Sequence, residues 1–150
     1  TLLPGQAITR EWLLDMTETT YSFATVTEMT GETIKTVLED VADNLFNPDP
    51  YYQQGGDMVR VGGLTYSCNP VSKAGQRISD MRLKGQLIDA GKKYKVAGWA
   101  PVAEEARSQG NKQVWDVVET WLKAQGGRIK PRQLNTPKIM GALPNKGYAV

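Results

Sequence analysis

The amino-acid sequence predicts an α+β fold, a layered mixed α/β domain in which helices and strands are intermixed along the chain. Apolar residues recur at three- and four-residue spacing over 31–46 and 112–124, which is typical of helices that bury one side. Residues 21–29 and 77–83 alternate with period two, which is typical of strands. At 150 residues the chain is long enough for one domain with its own core, and we expect a single domain over 1–150.

The N-terminal third predicts two helices around one strand. Thr9 is a suitable N-cap for a short helix over 10–16, and the strand over 21–29 follows it. Thr30 then caps the helix over 31–46. The charged residues of that helix predict a solvated face: Lys35, Glu39, Asp40 and Asp43.

The middle of the chain predicts a β-rich segment. Residues 64–68 form a short strand that ends at Asn69-Pro70, and residues 77–83 form another. Lys84-Gly85 follows as a tight hairpin turn, because Gly85 can adopt positive φ. A further short strand is expected over 93–97.

The C-terminal third predicts a helix and an extended tail. Residues 102–107 suggest a helical turn, and the helix over 112–124 carries Trp115 and Trp121, which we interpret as core anchors. Gln125-Gly126-Gly127 is typical of a helix C-cap. From Arg128 onward, prolines and basic residues favour either an extended strap over the domain or a partly disordered tail.

The composition excludes several classes of function. The net charge of +2 is small and the basic residues are scattered except near the C-terminus, so no nucleic-acid partner is expected. The apolar runs are far too short to cross a membrane. Because the chain has no histidine and one cysteine, Cys68, it cannot build a Ser-His-Asp, Cys-His or His-rich zinc site. We interpret Cys68 as a small half-buried strand residue.

The start at Thr1, without initiator Met or signal-like segment, leads us to expect a fragment or processed product.

The segment 47–63 is the candidate binding loop. It combines two prolines, two tyrosines, two glutamines and four glycines with Asp57 and Arg60. Arg60, Gln53-Gln54 and the backbone N–H groups around Gly55-Gly56 could together bind an anion or a polar group. The alternative is a structural turn with an Asp57–Arg60 ion pair. No pair of carboxylates stands out as an acid/base couple, so no catalytic residue is expected in this chain.

Several stretches of this sequence resemble one known family. Residues 40–63, 64–66, 76–83 and 94–100 resemble the C-terminal part of the SoxB family, the thiosulfohydrolases of bacterial sulfur oxidation. The wider superfamily is similar to 5′-nucleotidases, whose C-terminal domain has a strand-start motif matching Gly62-Gly63-Leu64-Thr65-Tyr66.

The resemblance implies a two-domain parent enzyme. Its N-terminal domain, absent from this sequence, would be a metallophosphoesterase-like unit with two manganese ions, and the present chain would be the substrate-recognition domain without a cofactor of its own. The implied reaction is hydrolysis of sulfate from a thiosulfonated cysteine on the SoxYZ carrier protein. The implied location is the periplasm, and the implied partners are the carrier's cysteine-bearing arm and the N-terminal domain.

The resemblance also implies roles for individual residues. Arg60 would face the sulfonate, four residues (Gln54, Gly55, Gly56 and Asp57) would shape the groove or hold the arm, and three aromatic residues (Tyr51, Tyr52 and Trp99) would line its walls.

Nucleotidases stack the base between two aromatic rings, and this sequence offers only Met58 near the first position. No Gly-Gly-Asp-Gly-Tyr run follows Trp99, near the second position. A nucleotide-binding domain is therefore the alternative, and a binding module without an enzymatic parent is a third hypothesis.

Overall fold

The structure is a computed structural model, and it describes residues 2–17, 22–98, 110–130 and 135–141. The α+β prediction is confirmed. In chain order the elements are α1 (Arg10–Thr17), β1 (Thr25–Thr30), α2 (Gly31–Phe46), a 3-10 turn (Pro50–Tyr52), β2 (Leu64–Cys68), β3 (Ile78–Leu83), β4 (Gln86–Leu87), β5 (Lys93–Gly98), α3 (Val114–Ala124) and β6 (Lys138–Ile139).

The chain divides into two compact units. Unit 1 comprises Thr1–Glu28 and Lys95–Arg132, and unit 2 comprises Met29–Tyr94 and Gln133–Val150. Each unit is therefore made of two separate stretches of sequence. The single-domain expectation stays a prediction, and the helical turn expected over 102–107 lies outside the described residues.

Unit 1 is built on the helix pair α1 and α3. Thr9 caps α1 as predicted, its Oγ1 accepting the Trp12 N–H at 3.2 Å. Arg10 reaches from α1 to two carboxylates of α3, at 3.6 Å from Asp116 and 3.4 Å from Glu119. Because these ion pairs lie at the surface, they contribute little to stability.

The first strand is shorter than the sequence predicts. β1 begins at Thr25, and Phe23 makes only an isolated bridge with Gln113, while Tyr21 lies outside the described residues. β1 pairs with β5 in a two-stranded sheet, in which Thr25 Oγ1 donates to the Gly98 carbonyl at 3.3 Å.

The helix α3 is confirmed, but one of its expected core anchors is not. Trp121 is 38% exposed and Trp115 is half-buried, and no residue of α3 is fully buried. The prediction was wrong for Trp121 because amphipathic spacing indicates a side of the helix but not how completely a neighbour covers it. The C-cap prediction is confirmed by the positive φ of Gly126 and Gly127, 73° and 81°.

Unit 2 packs α2 on a four-stranded sheet with the order β4-β3-β2-β6. β2 and β3 are antiparallel with an irregular register between Thr65 and Ser67, and β6 from the tail lies parallel to β2. Lys84 and Gly85 both have positive φ, 52° and 82°, as expected of a primed hairpin turn. The buried apolar core lies between helix and sheet: Leu38, Ala42, Tyr66, Cys68, Ile78 and Met81.

The helix α2 has the predicted bounds but not the predicted charged face. Thr30 Oγ1 accepts the Thr33 N–H at 3.1 Å, as an N-cap should. Glu39 is only 7% exposed and Asp43 bonds to a buried arginine, whereas Asp40 is exposed. The solvated-face prediction is therefore wrong for Glu39 and Asp43, because Arg77 and the first residue of β3, Ile78, supply donors that the helix sequence alone does not reveal.

Candidate functional site

The loop between α2 and β2, residues 47–63, begins with a chain of local hydrogen bonds. Asn47 ends α2, and its Oδ1 accepts the Asp49 N–H at 3.0 Å. Asp49 Oδ1 accepts the Tyr51 N–H at 3.0 Å and so starts the 3-10 turn. Gln53 Nε2 donates back to the Asn47 carbonyl at 2.7 Å. Residues 47–53 therefore form a compact turn held by their own hydrogen bonds, not an extended segment.

The two tyrosines project from this turn into solvent. Tyr51 is 92% exposed and Tyr52 is 61% exposed. They are therefore not a packing pair beneath the loop. Each ring therefore exposes a large apolar area with a polar hydroxyl, which is a type of side chain common at binding surfaces.

The Gly55-Gly56 pair rests partly on α2. The Gly55 N–H donates to the Asn44 carbonyl at 3.3 Å, and a Cβ added at Gly55 would lie 3.3 Å from Asn44 Cβ. A Cβ added at Gly56 would meet nothing within 4 Å, and Gln54 is exposed. Of the two backbone N–H groups predicted to bind an anion, the one of Gly55 is thus already used by the helix.

Arg60 lies in an exposed stretch between two half-buried residues. Met58 and Val61 are half-buried and pack against the core of unit 2, while Asp57 and Arg60 are exposed. Among the residues that the structure describes, no ion pair joins Asp57 to Arg60. The structural-turn alternative loses its proposed ion pair, and the Arg60 guanidinium faces solvent from an anchored backbone.

The far end of the loop is held by the tail. Asn135 Oδ1 accepts the Gly63 N–H at 2.8 Å, where Gly63 has a φ of 84°. Met140 N–H then donates to the Cys68 carbonyl at 2.8 Å as β6 runs beside β2. The tail around 135–141 is therefore the extended strap that the sequence left as one of two alternatives.

Eight of the nine predicted site residues lie in this one loop, and the structure shows where each of them is placed. Trp99 lies outside the described residues. The assignment of these residues to substrate binding stays a prediction.

The sequence reasoning missed a buried polar network beside the loop. Arg77 is 2% exposed, and its NH1 lies 2.6 Å from Asp43 Oδ1 while its NH2 donates to the Phe46 carbonyl at 3.1 Å. The hydrogen bond from Arg77, and next the bond from Asn47, lower the pKa of Asp43. The available signal was the spacing of Glu39 and Asp43, one turn apart on the side of α2 that carries Leu38 and Ala42.

Comparison with known proteins places the chain in a family. The family model described as 5′-nucleotidase, C-terminal domain, matches residues 1–108. The chain belongs to the 5′-nucleotidase C-terminal domain family. No curated protein matches it.

Two solved structures are similar to this 5′-nucleotidase C-terminal domain. The sulfate thiohydrolase SoxB of Thermus thermophilus, in complex with glycerol, is 33% identical with a TM-score of 0.79, covering 96% of this chain and 27% of that one. A structure assigned as a 5′-nucleotidase of Staphylococcus aureus, in complex with alpha-ketoglutarate, is 15% identical with a TM-score of 0.60, covering 88% of this chain and 30% of that one. The second likeness shows the fold alone, and the chain spans less than a third of either protein.

The residues that the structure describes lack two further features. They contain no group of three or more His, Cys, Asp and Glu side chains placed to hold a metal ion. None of their helices is both long and apolar enough to cross a bilayer.

Proposed function

We propose that this chain is the substrate-recognition domain of a SoxB-type thiosulfohydrolase. The observation that carries the proposal is the likeness to the Thermus thermophilus SoxB, which extends over 96% of the chain at 33% identity. The identity to the Staphylococcus aureus structure is 15%, less than half as high. The proposed activity belongs to the longer parent protein, in which this chain would bind the substrate.

In this proposal the 47–63 loop binds the anionic end of a thiosulfonated cysteine arm. Arg60 is exposed and forms no ion pair with a described carboxylate, and the planar set of N–H donors on its guanidinium suits the oxygens of a sulfonate. The exposed rings of Tyr51 and Tyr52 would flank the arm of the SoxYZ carrier. Gln54, Gly56 and Asp57 would add polar contacts.

The reaction itself needs groups beyond this chain. In the hydrolysis, a water oxygen bonds to the terminal sulfur, the sulfur–sulfur bond breaks, sulfate leaves and the sulfur left on the carrier takes up a proton. Two manganese ions on the N-terminal domain of the parent would supply an activated water. The described residues do not fit such ions, so none of the roles given to this chain passes through them. A periplasmic location follows from the same proposal.

The test is Arg60→Ala in the full-length enzyme, with sulfate release from the thiosulfonated carrier as the readout. Loss of a charge-assisted hydrogen bond of about 1.5–3 kcal/mol should lower kcat/KM by about 10- to 150-fold. Arg128→Ala is the matched control, because Arg128 is also exposed but lies outside the loop. Equal turnover in the two variants would remove Arg60 from substrate binding.

The second candidate is the nucleotide-binding domain of a 5′-nucleotidase. The family match and the fold of the Staphylococcus aureus structure favour it. Nucleoside monophosphates should then shift the amide resonances around Met58, and a thiosulfonated peptide should not. The coding sequence upstream of Thr1 decides a different question, because a metal-motif domain there would exclude a binding module without an enzymatic parent.

A further inference from the structure

The 47–63 loop leaves α2 at a point where a buried arginine bonds the end of the helix. Arg77 NH2 donates to the Phe46 carbonyl at 3.1 Å, the last carbonyl of α2. Its NH1 contacts Asp43 Oδ1 at 2.6 Å, and Asp43 Oδ2 accepts the Asn47 side-chain N–H at 2.8 Å. One guanidinium therefore joins the last turn of the helix to the first residue of the loop.

Arg77 is itself held firmly at its backbone. Its N–H donates to Glu39 Oε2 at 3.1 Å, and its carbonyl accepts the Asn69 N–H at 2.8 Å. It directly precedes β3, an interior strand of the four-stranded sheet. Because its side chain is 2% exposed, the guanidinium has little room to move. Arg77 therefore fixes the start of the loop relative to the sheet.

Hydrogen bonds within the loop connect Asn47 to the residues that follow it. Asn47 orients Asp49, Asp49 orients the Tyr51 N–H, and Gln53 closes back on the Asn47 carbonyl. A small rotation at Asn47 would therefore turn the whole 3-10 segment and both exposed tyrosines.

We propose that Arg77 is a positioning residue for substrate binding, setting through Asp43, Asn47 and the Phe46 carbonyl the direction in which the 47–63 loop presents Tyr51 and Tyr52. The inference rests on the proposed function, since it takes this loop as the substrate site. The Arg77 guanidinium is buried and the Asp43 carboxylate is half-buried, and an ion pair taken out of water is a poor source of stability compared with apolar packing of the same volume. What the pair supplies is geometry, because an apolar side chain could not bond both a carboxylate and a helix-end carbonyl.

The experiment compares Arg77→Lys and Asp43→Asn with the control Asp40→Asn in the full-length protein. Asp40 is an exposed carboxylate on the same helix, outside the network. Hydrogen exchange of the 47–53 amides is measured beside that of β2 and β3. We expect the first two variants to raise exchange in 47–53 about tenfold, the factor for one such hydrogen bond, with the strands unchanged. Steady-state kinetics on the thiosulfonated carrier should show a higher KM with kcat nearly retained.

Two outcomes would overturn the proposal. One is unchanged exchange in 47–53 when the Arg77–Asp43 bond is weakened; the other is a rise that only follows a rise in the strands, which would indicate a purely structural role. If Arg77→Lys does not fold, Asp43→Asn decides alone, because it leaves the arginine in place. A wild-type protein that neither binds nor hydrolyses the carrier would refute the proposed function, yet the exchange result would still decide the role of Arg77 in holding the loop.

Discussion

Glu39 carries the prediction that follows most directly from the structure. Its carboxylate accepts two backbone N–H groups at the start of β3, that of Ile78 at 2.8 Å on Oε1 and that of Arg77 at 3.1 Å on Oε2. Both bonds are buried. Glu39→Ala would leave both donors without an acceptor in the interior of unit 2.

The expected cost follows from that geometry. Each buried donor left unpaired costs about 1–3 kcal/mol, so Glu39→Ala should lower the free energy of unfolding by about 2–6 kcal/mol. Because a whole domain is stable by only about 5–15 kcal/mol, this variant would lie close to unfolding. Glu39→Gln keeps one acceptor oxygen, so its free energy of unfolding should fall by about half as much. Because this variant should stay folded, it is the better one for measuring the loss.

The assay is urea unfolding followed by far-ultraviolet circular dichroism and extrapolated linearly to water. Tryptophan fluorescence would not serve, because all four tryptophans belong to the sequence segments of unit 1: Trp12, Trp99, Trp115 and Trp121. Asp40→Ala is the control, an exposed neighbour that should change stability by no more than about 0.5 kcal/mol. If Glu39→Ala is no less stable than Asp40→Ala, the buried role of Glu39 is refuted.

Three further predictions concern unit 2. Gly31→Ala should cost about 1–3 kcal/mol, because the new Cβ would press on the Asp89 carbonyl, whereas Gly56→Ala points into open space and should be tolerated; urea unfolding of both variants checks this contrast. Cys68 is 1% exposed and burial raises the pKa of its thiol, so a thiol reagent should label it only when the protein unfolds, and rapid labelling of the native protein would contradict this. The hydrogen bond from Arg77 lowers the pKa of Asp43 below the ordinary 3.8. The stabilisation that the ionised Asp43 gives the folded state is therefore complete above pH 3.8, and it is lost as the pH falls through the lowered pKa. The stability difference between wild type and Asp43→Asn should therefore shrink below about pH 4, and a difference constant across this range would argue against the bond.

The elements that the sequence predicted well are those with strong local signals. α2 begins after its Thr30 cap and ends before Pro48, as the cap and the proline require. β2 also has the predicted bounds. β4 was missed because two residues carry no periodicity, and its place beside β3 comes from the turn at Lys84-Gly85.

The sequence predicted the 47–63 loop but not the contacts that support it, and the role of the loop in binding stays a prediction. The prolines and glycines of 47–63 predicted a loop, and the exposure of its tyrosines agrees with a binding surface. The bond from Gly63 to Asn135 joins residues 72 positions apart, and no local pattern indicates such a contact. The spacing of Glu39 and Asp43 points to the buried side of α2, but it does not identify Arg77, 34 positions away, as the partner of Asp43.

The sequence by itself determined the three helices and the longer strands of the described residues, though not the first residue of β1 or the two-residue strands β4 and β6, because caps, periodicity and turn residues act over a few neighbouring positions. It also determined the family, through stretches that resemble known proteins. Only the tertiary structure decided which charges of α2 are buried and what holds the loop at its two ends. The reason is physical: burial and hydrogen-bond partners are set by chains that meet in space, and the donors that Glu39 and Asp43 satisfy lie on another part of the fold.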